Sequence, residues 1–379
     1  MDNSFYVVFN AYCPNCAPIN RLLSYLKAWS ELDVNITLVF MLPDRNFSRL
    51  SIPYKNVTVI YMWDCFKGHS YLLHNIFYYL FVKKFIRTLN KGDRVYLYDQ
   101  FYLAKHLLKK KEISIFMEIT EHPDVFNPGH WPYRISVNKF LQISKLLDGL
   151  FVISRPLKDY FVENGVDESR IDIINMTVDP SRYIGVERDD FEHQYIAYCG
   201  TASNRKDGVD QLIQSFSLLS RKYPNLYLYI IGSVSPDDSN VLLARQLNID
   251  DKVVFTGMVP YSDMPRMLTN AIILALARPD NKQAKYGFPT KLGEYLLTAN
   301  PVVVTDVGDI PHFIVDGENG MVAKADDINS FSEKLDWLIS HPNEAKKIGE
   351  RGRETALALF NCNKEAKKIV NYIFKTYKI

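Results

Sequence analysis

Two loops of this sequence carry residue types that bind phosphate groups. In the first, the apolar run Tyr195–Cys199 ends in Gly200, and a short polar loop with Arg205 and Lys206 leads into a helical pattern that starts at Gly208. Such a loop brings backbone N–H groups, a helix start and cationic side chains together, which is the combination that binds a phosphate. A solvated strand-to-helix turn has the same pattern, so this loop alone leaves both interpretations open.

The second loop lies about 80 residues later and combines a Gly-Phe-Pro turn with a helix start. Pro289 falls near the first helical turn, where its missing N–H costs nothing. The amides that follow and the side chain of Lys291 can face a second phosphate, and Glu294 lies about one turn into the helix. A carboxylate there can accept two hydrogen bonds from a ribose diol, or it can simply complement the positive end of the helix.

Short β-branched or aromatic runs alternate with amphipathic segments of helix length along the whole chain. This alternation is typical of parallel sheets covered by helices, the α/β class. The predicted strands are 5–9, 34–40, 57–61, 95–98, 113–118 and 150–153, followed by a second series at 195–199, 226–231, 253–255, 272–276 and 302–305. The predicted helices are 19–29, 71–89, 135–147, 208–222, 289–298 and 329–340. Both phosphate loops follow strands of the second series, so we expect them at the carboxyl edge of one sheet, where open α/β sheets bind ligands.

The composition is that of a globular protein. The chain has 379 residues, 47% of them hydrophobic and 23% charged, with a formal net charge of +2. A collagenous or largely disordered chain is thereby excluded, and the charge balance alone predicts no polyanionic partner. Five scattered cysteines are not typical of a disulfide framework, and we find neither a signal peptide nor an apolar run that could span a bilayer. We therefore expect a cytoplasmic protein.

Two further clusters in the first half carry reactive side chains. Glu121 and His122 follow a predicted strand, where a histidine beside carboxylates can be a base, a metal ligand, a sugar contact or an ordinary surface residue. Cys13 and Cys16 form a CxxC turn before a helix, which is a thioredoxin-like redox arrangement. The same turn can instead line an acceptor-binding surface. A zinc site completed by Cys65 and His69 is disfavoured by the spacing of that second pair, so no metal is predicted.

The first half also contains a basic and aromatic stretch. Residues 65–111 hold ten Lys or Arg and only two acidic residues. The segment 71–89 is predicted as a helix with an aromatic surface and a basic end at Lys83, Lys84 and Arg87. Such helices bind anionic membrane surfaces, here the inner face of the plasma membrane, but core packing explains many of the aromatics equally well. No nucleic-acid-binding module accompanies the stretch, so nucleic acid is not an expected partner.

The order of these motifs resembles the retaining glycosyltransferases of the GT-B fold, the bacterial "group 1" or family 4-like type that builds capsule, lipopolysaccharide and exopolysaccharide. The resemblance covers most of the chain. The motifs that carry it are, in order, 152–154, 174–179, the Gly200 to Lys206 loop, 231–232, 254–257, the Gly287 to Glu294 helix start, 301–308 and 316–320.

The resemblance implies a domain organisation. Two Rossmann-like, doubly wound domains would face a cleft, with an acceptor-binding domain at 1–180 and a nucleotide-sugar-binding domain at 181–360. The acid-rich segment 179–193 is interpreted as the linker because it lacks periodicity. A final helix, 364–377 within 361–379, would cross back to the N-terminal domain.

The resemblance also assigns roles to single residues in the first loop. Lys206 stands where the family has its diphosphate-binding lysine. The family usually has an arginine directly after the loop glycine, whereas this chain has Thr201. Arg205 or Arg278 would then supply the missing charge.

In the second loop, Glu294 matches the family's ribose-binding glutamate. The glutamate that contacts the donor sugar, eight residues earlier in the family, is replaced by Tyr286. His122 matches a histidine that faces the donor sugar near the reaction centre. The remaining donor-binding residues are predicted to be Gly200, Gly232, Val259, Gly287, Phe288, Pro289, Thr290, Lys291 and Leu292, and the acceptor-side residues Asn10, Cys13, Asn15 and Glu121.

The implied reaction is a retaining sugar transfer, without a metal or a cofactor, from a nucleoside diphosphate sugar to a glycan acceptor that we expect to be lipid-linked. The acceptor would attack on the face that the diphosphate leaves, and a phosphate oxygen would take its proton. Lys206 and the amides of 290–292 would stabilise the charge on the departing diphosphate. Three alternatives remain: a nucleotide-sugar epimerase of the same architecture, a dithiol redox protein, and a non-catalytic glycan-binding or regulatory relic.

Overall fold

The computed structural model describes residues 3–14, 16–66, 77–110, 112–126, 135–189, 193–235 and 237–375. The chain divides into two compact units. Unit 1 consists of Met1–Asn175 together with Cys362–Ile379, and unit 2 of Met176–Asn361. The predicted fold class, two Rossmann-like domains with parallel sheets, is confirmed.

Unit 1 is built on a parallel sheet whose strands follow the order β3-β2-β1-β4-β5-β6-β7 within the described residues. The strands are β1 (Ser4–Phe9), β2 (Asn35–Phe40), β3 (Val57–Tyr61), β4 (Arg94–Tyr98), β5 (Ser114–Ile119), β6 (Gly149–Val152) and β7 (Ile171–Ile173). Every residue of β4, β5 and β6 is buried, as expected where helices cover both faces of a parallel sheet.

The helices between the strands of unit 1 do not share one kind of cap. They are α1 (Ala17–Ser30), α2 (Tyr78–Thr88), α3 (Phe101–Leu107), α4 (Pro123–Phe126), α5 (Val137–Ser144) and α6 (Arg155–Glu163). Ser136 and Ser154 cap α5 and α6 by accepting a hydrogen bond from the N–H three residues later. The predicted helix at 71–89 therefore has its described part at Tyr78–Thr88, and its first residues, 71–76, lie outside the described residues.

Unit 2 repeats the plan with the strand order β10-β9-β8-β11-β12-β13. Its strands are β8 (Gln194–Cys199), β9 (Leu226–Ile231), β10 (Val253–Gly257), β11 (Ile273–Leu276), β12 (Val302–Thr305) and β13 (Met321–Ala323). Its helices are α7 (Asn204–Asp207), α8 (Val209–Ser220), α9 (Ser239–Gln246), α10 (Met264–Asn270), α11 (Lys282–Tyr286), α12 (Lys291–Leu297), α13 (Ile328–Ser340) and α14 (Pro342–Leu359). The two predicted phosphate loops follow β8 and β11, which are neighbours in this sheet.

The last helix, α15 (Cys362–Lys375), belongs to unit 1. It packs against α1, where the Trp29 indole N–H donates to the Ala366 carbonyl over 2.9 Å. Phe374 contacts Phe5 edge to face, with ring centroids 6.2 Å apart. Residues 376 and 377 of the predicted helix lie outside the described part of the chain.

The interpretation of 179–193 as a linker is wrong for its first residues. Unit 2 begins at Met176, because Met176 and Val178 pack into the space that Gly293 leaves by lacking a Cβ. The chain then forms a short 3-10 helix, Pro180–Tyr183, whose Tyr183 is buried. The change of unit thus lies at 175/176 rather than at the predicted 180/181. Residues 190–192 of that predicted linker lie outside the described residues.

Candidate functional site

Glycine is required at two neighbouring strand ends of unit 2. Gly200 and Gly232 have φ of 138° and 155°, in the region that favours glycine. The Gly200 N–H donates to the Ile231 carbonyl over 2.8 Å, and a Cβ at Gly232 would overlap the Gly200 carbonyl oxygen. The two backbones are therefore in direct contact at the carboxyl edge of the sheet, the position where open α/β sheets bind ligands.

Hydrogen bonds fix the loop that follows Gly200. Side chains from two other segments hold its carbonyl oxygens. Asn240 of α9 donates to Ala202 over 3.1 Å, and in the loop after β11 Asn281 donates to Arg205 over 2.7 Å and Arg278 to Lys206 over 3.2 Å. The Thr201 carbonyl accepts from the Ser203 N–H over 2.7 Å. The three side-chain bonds hold the carbonyl groups of Ala202, Arg205 and Lys206 against neighbouring side chains, which favours an anion on the loop's outer side.

The loop contains a helical turn that the sequence pattern did not predict. Helix α7 covers only Asn204–Asp207, capped by Ser203 at its start and by Gly208 at its end. Gly208 has a φ of 63°, and a Cβ there would overlap the Ala277 carbonyl oxygen, so only glycine fits. This turn leaves Arg205 and Lys206 exposed and directs Asp207 inward.

Asp207 is the centre of a buried charge cluster. Its carboxylate accepts a hydrogen bond from Lys291 over 2.6 Å, lies 2.8 Å from the Tyr198 hydroxyl, and lies 3.9 Å from the Arg278 guanidinium. Burial tends to raise the pKa of Asp207, but Lys291 and Arg278 bring it below its usual value. Burial lowers the pKa of Lys291 despite Asp207. The side chains of Lys291 and Arg278, which we expected to face phosphate, are thus bound to Asp207.

The predicted ribose-binding residue lies in a second ion pair. Glu294 is about one turn into α12, and its carboxylate accepts a hydrogen bond from Arg182 of the Pro180–Tyr183 turn. Arg182 also donates to the Tyr261 carbonyl over 3.0 Å, and its guanidinium carbon lies 3.6 Å from the Tyr261 ring centroid. Burial raises the pKa of Glu294, and Arg182 counteracts that rise. The Glu294 side chain remains 27% exposed.

The rest of the second loop is mainly structural. Phe288 is buried against Phe313 and Phe360, with ring centroids 5.2 and 5.8 Å away. Gly287 and Pro289 are buried, and Leu292 is fully buried in the core. Thr290 is exposed and occupies the residue before α12, which begins at Lys291 rather than at the predicted Pro289.

Two predicted donor-binding residues of unit 2 remain half-buried. Tyr286 ends α11 and carries no carboxylate, and the Lys285 ammonium lies 5.4 Å from its ring centroid. Val259 follows Gly257 and lies two residues before Tyr261.

In unit 1, His122 is buried at the end of β5. Its Nδ1 accepts the Asp124 N–H over 3.2 Å, an arrangement that requires the proton on Nε2, and its ring lies 4.3 Å from Tyr160. Glu121 beside it is half-buried, and Asn10 is exposed after β1. These residues lie at the carboxyl ends of β1 and β5.

The CxxC turn lacks the electrostatics of a redox site. Cys13 is exposed, and Cys16 is the residue just before α1, where its side chain makes no capping hydrogen bond. Burial raises the pKa of the Cys16 thiol to about 11, whereas a reactive dithiol needs a lowered pKa. The intervening Asn15 lies outside the described residues, as do His69 and the side chain of Cys65.

Within the described residues, no group of three His, Cys, Asp or Glu side chains is arranged to hold a metal ion. Within the same residues, none of the helices is both long and apolar enough to cross a membrane. Asp207, Arg182 and Tyr261 are the site residues that sequence reasoning missed. Asp207 had a signal, since it lies between Lys206 and Gly208. Arg182 had none, because its partner Glu294 is 112 residues away.

Residues 187–355 match the family described as "Glycosyl transferases group 1". The chain therefore carries a glycosyl transferases group 1 domain. This group 1 domain includes both phosphate loops and Glu294, whereas Arg182 lies five residues before the matched range.

Curated relatives match over part of their length. A capsular polysaccharide biosynthesis glycosyltransferase, CapM of Staphylococcus aureus, is 28% identical over 50% of this chain and 47% of its own. A GDP-mannose-dependent alpha-(1-6)-phosphatidylinositol monomannoside mannosyltransferase of Mycolicibacterium smegmatis is 28% identical over 40% of each chain. This chain thus spans less than half the length of these relatives.

Solved structures match over nearly the whole chain. Sucrose-phosphate synthase from Thermosynechococcus elongatus has a TM-score of 0.77 at 14% identity and covers 99% of both chains. HepE from Anabaena in complex with UDP has a TM-score of 0.74 at 15% identity and covers 99% of this chain and 100% of its own. The similarity shows the GT-B fold.

Proposed function

We propose that the protein is a glycosyltransferase that transfers a sugar from a nucleoside diphosphate sugar to a glycan acceptor in the biosynthesis of a cell-surface polysaccharide. The observation that carries the proposal is the loop after β8, with its carbonyl groups turned inward and the cationic side chains of Arg205 and Lys206 exposed. The group 1 domain, the CapM relative and the UDP bound by HepE support it.

The proposed transfer retains the configuration at the sugar carbon. The bond from that carbon to the diphosphate oxygen breaks, a bond to the acceptor hydroxyl forms on the same face, and the hydroxyl proton moves to the departing phosphate oxygen. Lys206 and Arg205 stabilise the negative charge that grows on the diphosphate. Because these side chains supply positive charge, the proposal requires neither a metal nor a cofactor.

Nucleotide binding tests the donor site directly. UDP, GDP, ADP, CMP and TDP are each added, with chelator present, to the wild type and to Lys206→Ala, and the melting temperature is recorded. A ligand at about 100 times its Kd stabilises the native state by about 2.7 kcal/mol, which gives a shift of several degrees. We expect a shift with at least one nucleotide and its loss in the variant.

A matched control separates the site from general charge effects. Lys346 is an exposed lysine on α14 of the same unit, paired with Glu350 only at 4.0 Å. Lys346→Ala removes the same charge and should keep the full shift. An equal loss in both lysine variants, or no shift with any of the nucleotides, argues against the donor site as proposed.

Turnover distinguishes the transferase from an epimerase of the same architecture. Once the base is known, the matching nucleotide sugars are incubated with and without glycan acceptors, and the products are separated. An isomerised nucleotide sugar in the absence of acceptor supports the epimerase instead. His122→Ala should keep the nucleotide-induced shift of unit 2 and lose turnover.

A membrane-bound acceptor fits a surface of unit 1. Helix α2 exposes Tyr79 and Leu80, and the Lys83 ammonium lies 4.4 Å from the Tyr79 ring centroid. Burial and the charges of Lys109, Lys105 and Lys83 lower the pKa of His106 nearby, which is the effect of a local positive potential. Such a surface suits anionic lipid headgroups and an acceptor on a lipid carrier.

Vesicle sedimentation tests this surface. The wild type should sediment with vesicles of phosphatidylglycerol and phosphatidylcholine and stay in solution with phosphatidylcholine alone. Charge reversal by Lys83→Glu with Lys84→Glu should abolish sedimentation. Lys91→Glu is the control, because Lys91 already pairs with Glu112 over 2.5 Å. Sedimentation that survives the reversal refutes membrane contact through α2.

A further inference from the structure

Arg182 connects three segments of unit 2. It lies on the Pro180–Tyr183 turn, bonds to the Glu294 carboxylate on α12, and bonds to the Tyr261 carbonyl in the loop after β10. Its guanidinium carbon also lies 3.6 Å from the centroid of the Tyr261 ring. A guanidinium can make these contacts simultaneously because its donors point in several fixed directions, which an ammonium cannot reproduce.

The turn that carries Arg182 is anchored in the unit. Tyr183 is only 5% exposed, and Asp179 caps the turn by accepting the Ser181 N–H over 3.0 Å. The Val178 N–H just before it donates to the Phe360 carbonyl over 3.0 Å. Because the backbone is held on both sides, the Arg182 side chain is presented to Glu294 in one position.

Glu294 needs such a neighbour to serve as an acceptor of hydrogen bonds. Its carboxylate is largely removed from water, and burial favours the neutral acid. A neutral carboxyl group donates one hydrogen bond and binds a diol less well than a carboxylate, which accepts from both hydroxyls. The ion pair with Arg182 keeps the group charged and fixes its direction, while a quarter of its side chain remains open to a ligand.

We propose that Arg182 is the positioning residue that holds the Glu294 carboxylate for the ribose diol of a nucleoside diphosphate and ties it to the loop at Tyr261. The inference rests on the proposed function. It adds a determinant outside the matched range 187–355, contributed by the segment that leads into unit 2. Arg182 therefore acts on the recognition of the ribose hydroxyls of the nucleotide.

Paired ribo- and deoxyribonucleotides test the proposal. Calorimetric Kd values are measured for UDP and 2′-deoxy-UDP, and for GDP and ADP with their 2′-deoxy forms, on the wild type, Arg182→Gln, Arg182→Lys and Glu294→Gln. The wild type should prefer the ribonucleotide by about 10- to 100-fold, the range for losing a hydrogen bond to a charged acceptor. Arg182→Gln and Glu294→Gln should reduce the preference to below about 3-fold, with Arg182→Lys in between.

A second ion pair of the same unit provides the control. Arg266 pairs with Asp189 on the surface, so Arg266→Gln removes one arginine and one ion pair without contacting Glu294. This variant should keep the wild-type preference. A merely structural role of Arg182 would weaken both nucleotides of a pair equally and leave their ratio unchanged.

The possible outcomes separate this inference from the proposed function. A wild-type preference that collapses in Arg182→Gln and partly returns in Arg182→Lys supports the positioning role. A preference that persists in Arg182→Gln overturns the role while the nucleotide site stands. If the wild type binds none of the six nucleotides, both the inference and the proposed donor site fall.

Discussion

Replacing Asp207 by Asn should destabilise unit 2 strongly, because it removes a buried carboxylate that faces two cations, the half-buried Lys291 and the buried Arg278. The substitution keeps the side-chain shape, but Lys291 and Arg278 lose their carboxylate partner. Removing one partner of a buried ion pair costs about 3–5 kcal/mol. A surface pair such as Lys346 with Glu350 in the same unit contributes at most about 0.5 kcal/mol, so Glu350→Gln is the matched control.

The loss should depend on pH in a defined direction. Burial already lowers the pKa of Lys291, and without Asp207 it falls further, while the unfolded chain keeps a lysine pKa of about 10.4. The folded variant therefore binds fewer protons than the unfolded chain between these two pKa values. Its deficit in stability should be largest below the folded pKa of Lys291 and should shrink as the pH rises from that pKa toward about 10.4.

Hydrogen exchange read by mass spectrometry provides the assay, because peptides of β8 and β11 report unit 2 separately from unit 1. The double variant Asp207→Asn with Lys291→Met removes the stranded ammonium as well and should be more stable than Asp207→Asn alone. A loss below about 1 kcal/mol in Asp207→Asn, or a double variant that loses the sum of the two single losses, would refute the account of a coupled buried cluster.

Three further perturbations give separate expectations. Gly208→Ala forces a Cβ onto the Ala277 carbonyl at a positive φ and should lower the free energy of unfolding by about 3 kcal/mol or more, as measured by thermal unfolding. Gly185→Ala, at a similar φ but with open space around it, should lower it by only about 1 kcal/mol. Equal losses of stability in the two variants would contradict the steric argument. Burial first, then the charges of Glu118 and Glu121, raises the pKa of Asp99, whose Oδ1 is buried without a partner among the described residues. Asp99→Asn should therefore raise the melting temperature at pH 7. The gain should vanish below about pH 4, because Asp99 is then protonated in both the folded and the unfolded wild type. Burial first, with a contribution from Cys13, raises the pKa of the Cys16 thiol to about 11. Since burial persists in a Cys13→Ser background, Cys16 should react there with iodoacetamide slowly at pH 8 and faster as the pH rises; rapid reaction at pH 7 would show a lowered pKa instead.

The fold could be predicted from the sequence because each main strand is a run of mostly apolar residues bounded by polar turns. Val57–Tyr61, Leu226–Ile231 and Val302–Thr305 have the bounds that their hydrophobic runs predict. The strands Ile171–Ile173 and Met321–Ala323 have three residues each and were not predicted. Three residues are too few to show a period, and tertiary pairing alone defines such strands.

Helices were missed where local signals conflict. Helix α6 begins at a Ser cap followed by Arg155 and Pro156, a recognisable start, but only Leu157 and Phe161 of its nine residues are buried. Its apolar stripe is therefore too narrow to be read as an amphipathic helix. Helix α7, a single turn, has no period at all and is defined by its Ser203 and Gly208 caps.

The position of the site could be predicted from the sequence, but the ion pairs within it could not. Glycine at 200 and cations at 205 and 206 are local features, so spacing identified them. The pairing of Lys291 with Asp207 joins residues 84 apart, and that of Arg182 with Glu294 joins residues 112 apart. Such pairs depend on which strands are neighbours in the sheet. No local pattern distinguishes a lysine that faces a ligand from one that faces a buried carboxylate.

The contacts of Asp207 explain why a loop proposed to bind an anion contains a carboxylate. Beneath that loop Arg278 is buried and Lys291 is half-buried, and without Asp207 their removal from water would be costly. Asp207 cancels one of these two positive charges at short range, and the exposed positive charge of the loop comes from Arg205 and Lys206 on the outer side of α7. One helical turn thus directs the anchoring charge inward and the binding charges outward. The turn must end at Gly208, where the Ala277 carbonyl leaves no room for a side chain, so the position of Lys206 depends on the packing of β11 as much as on its own loop.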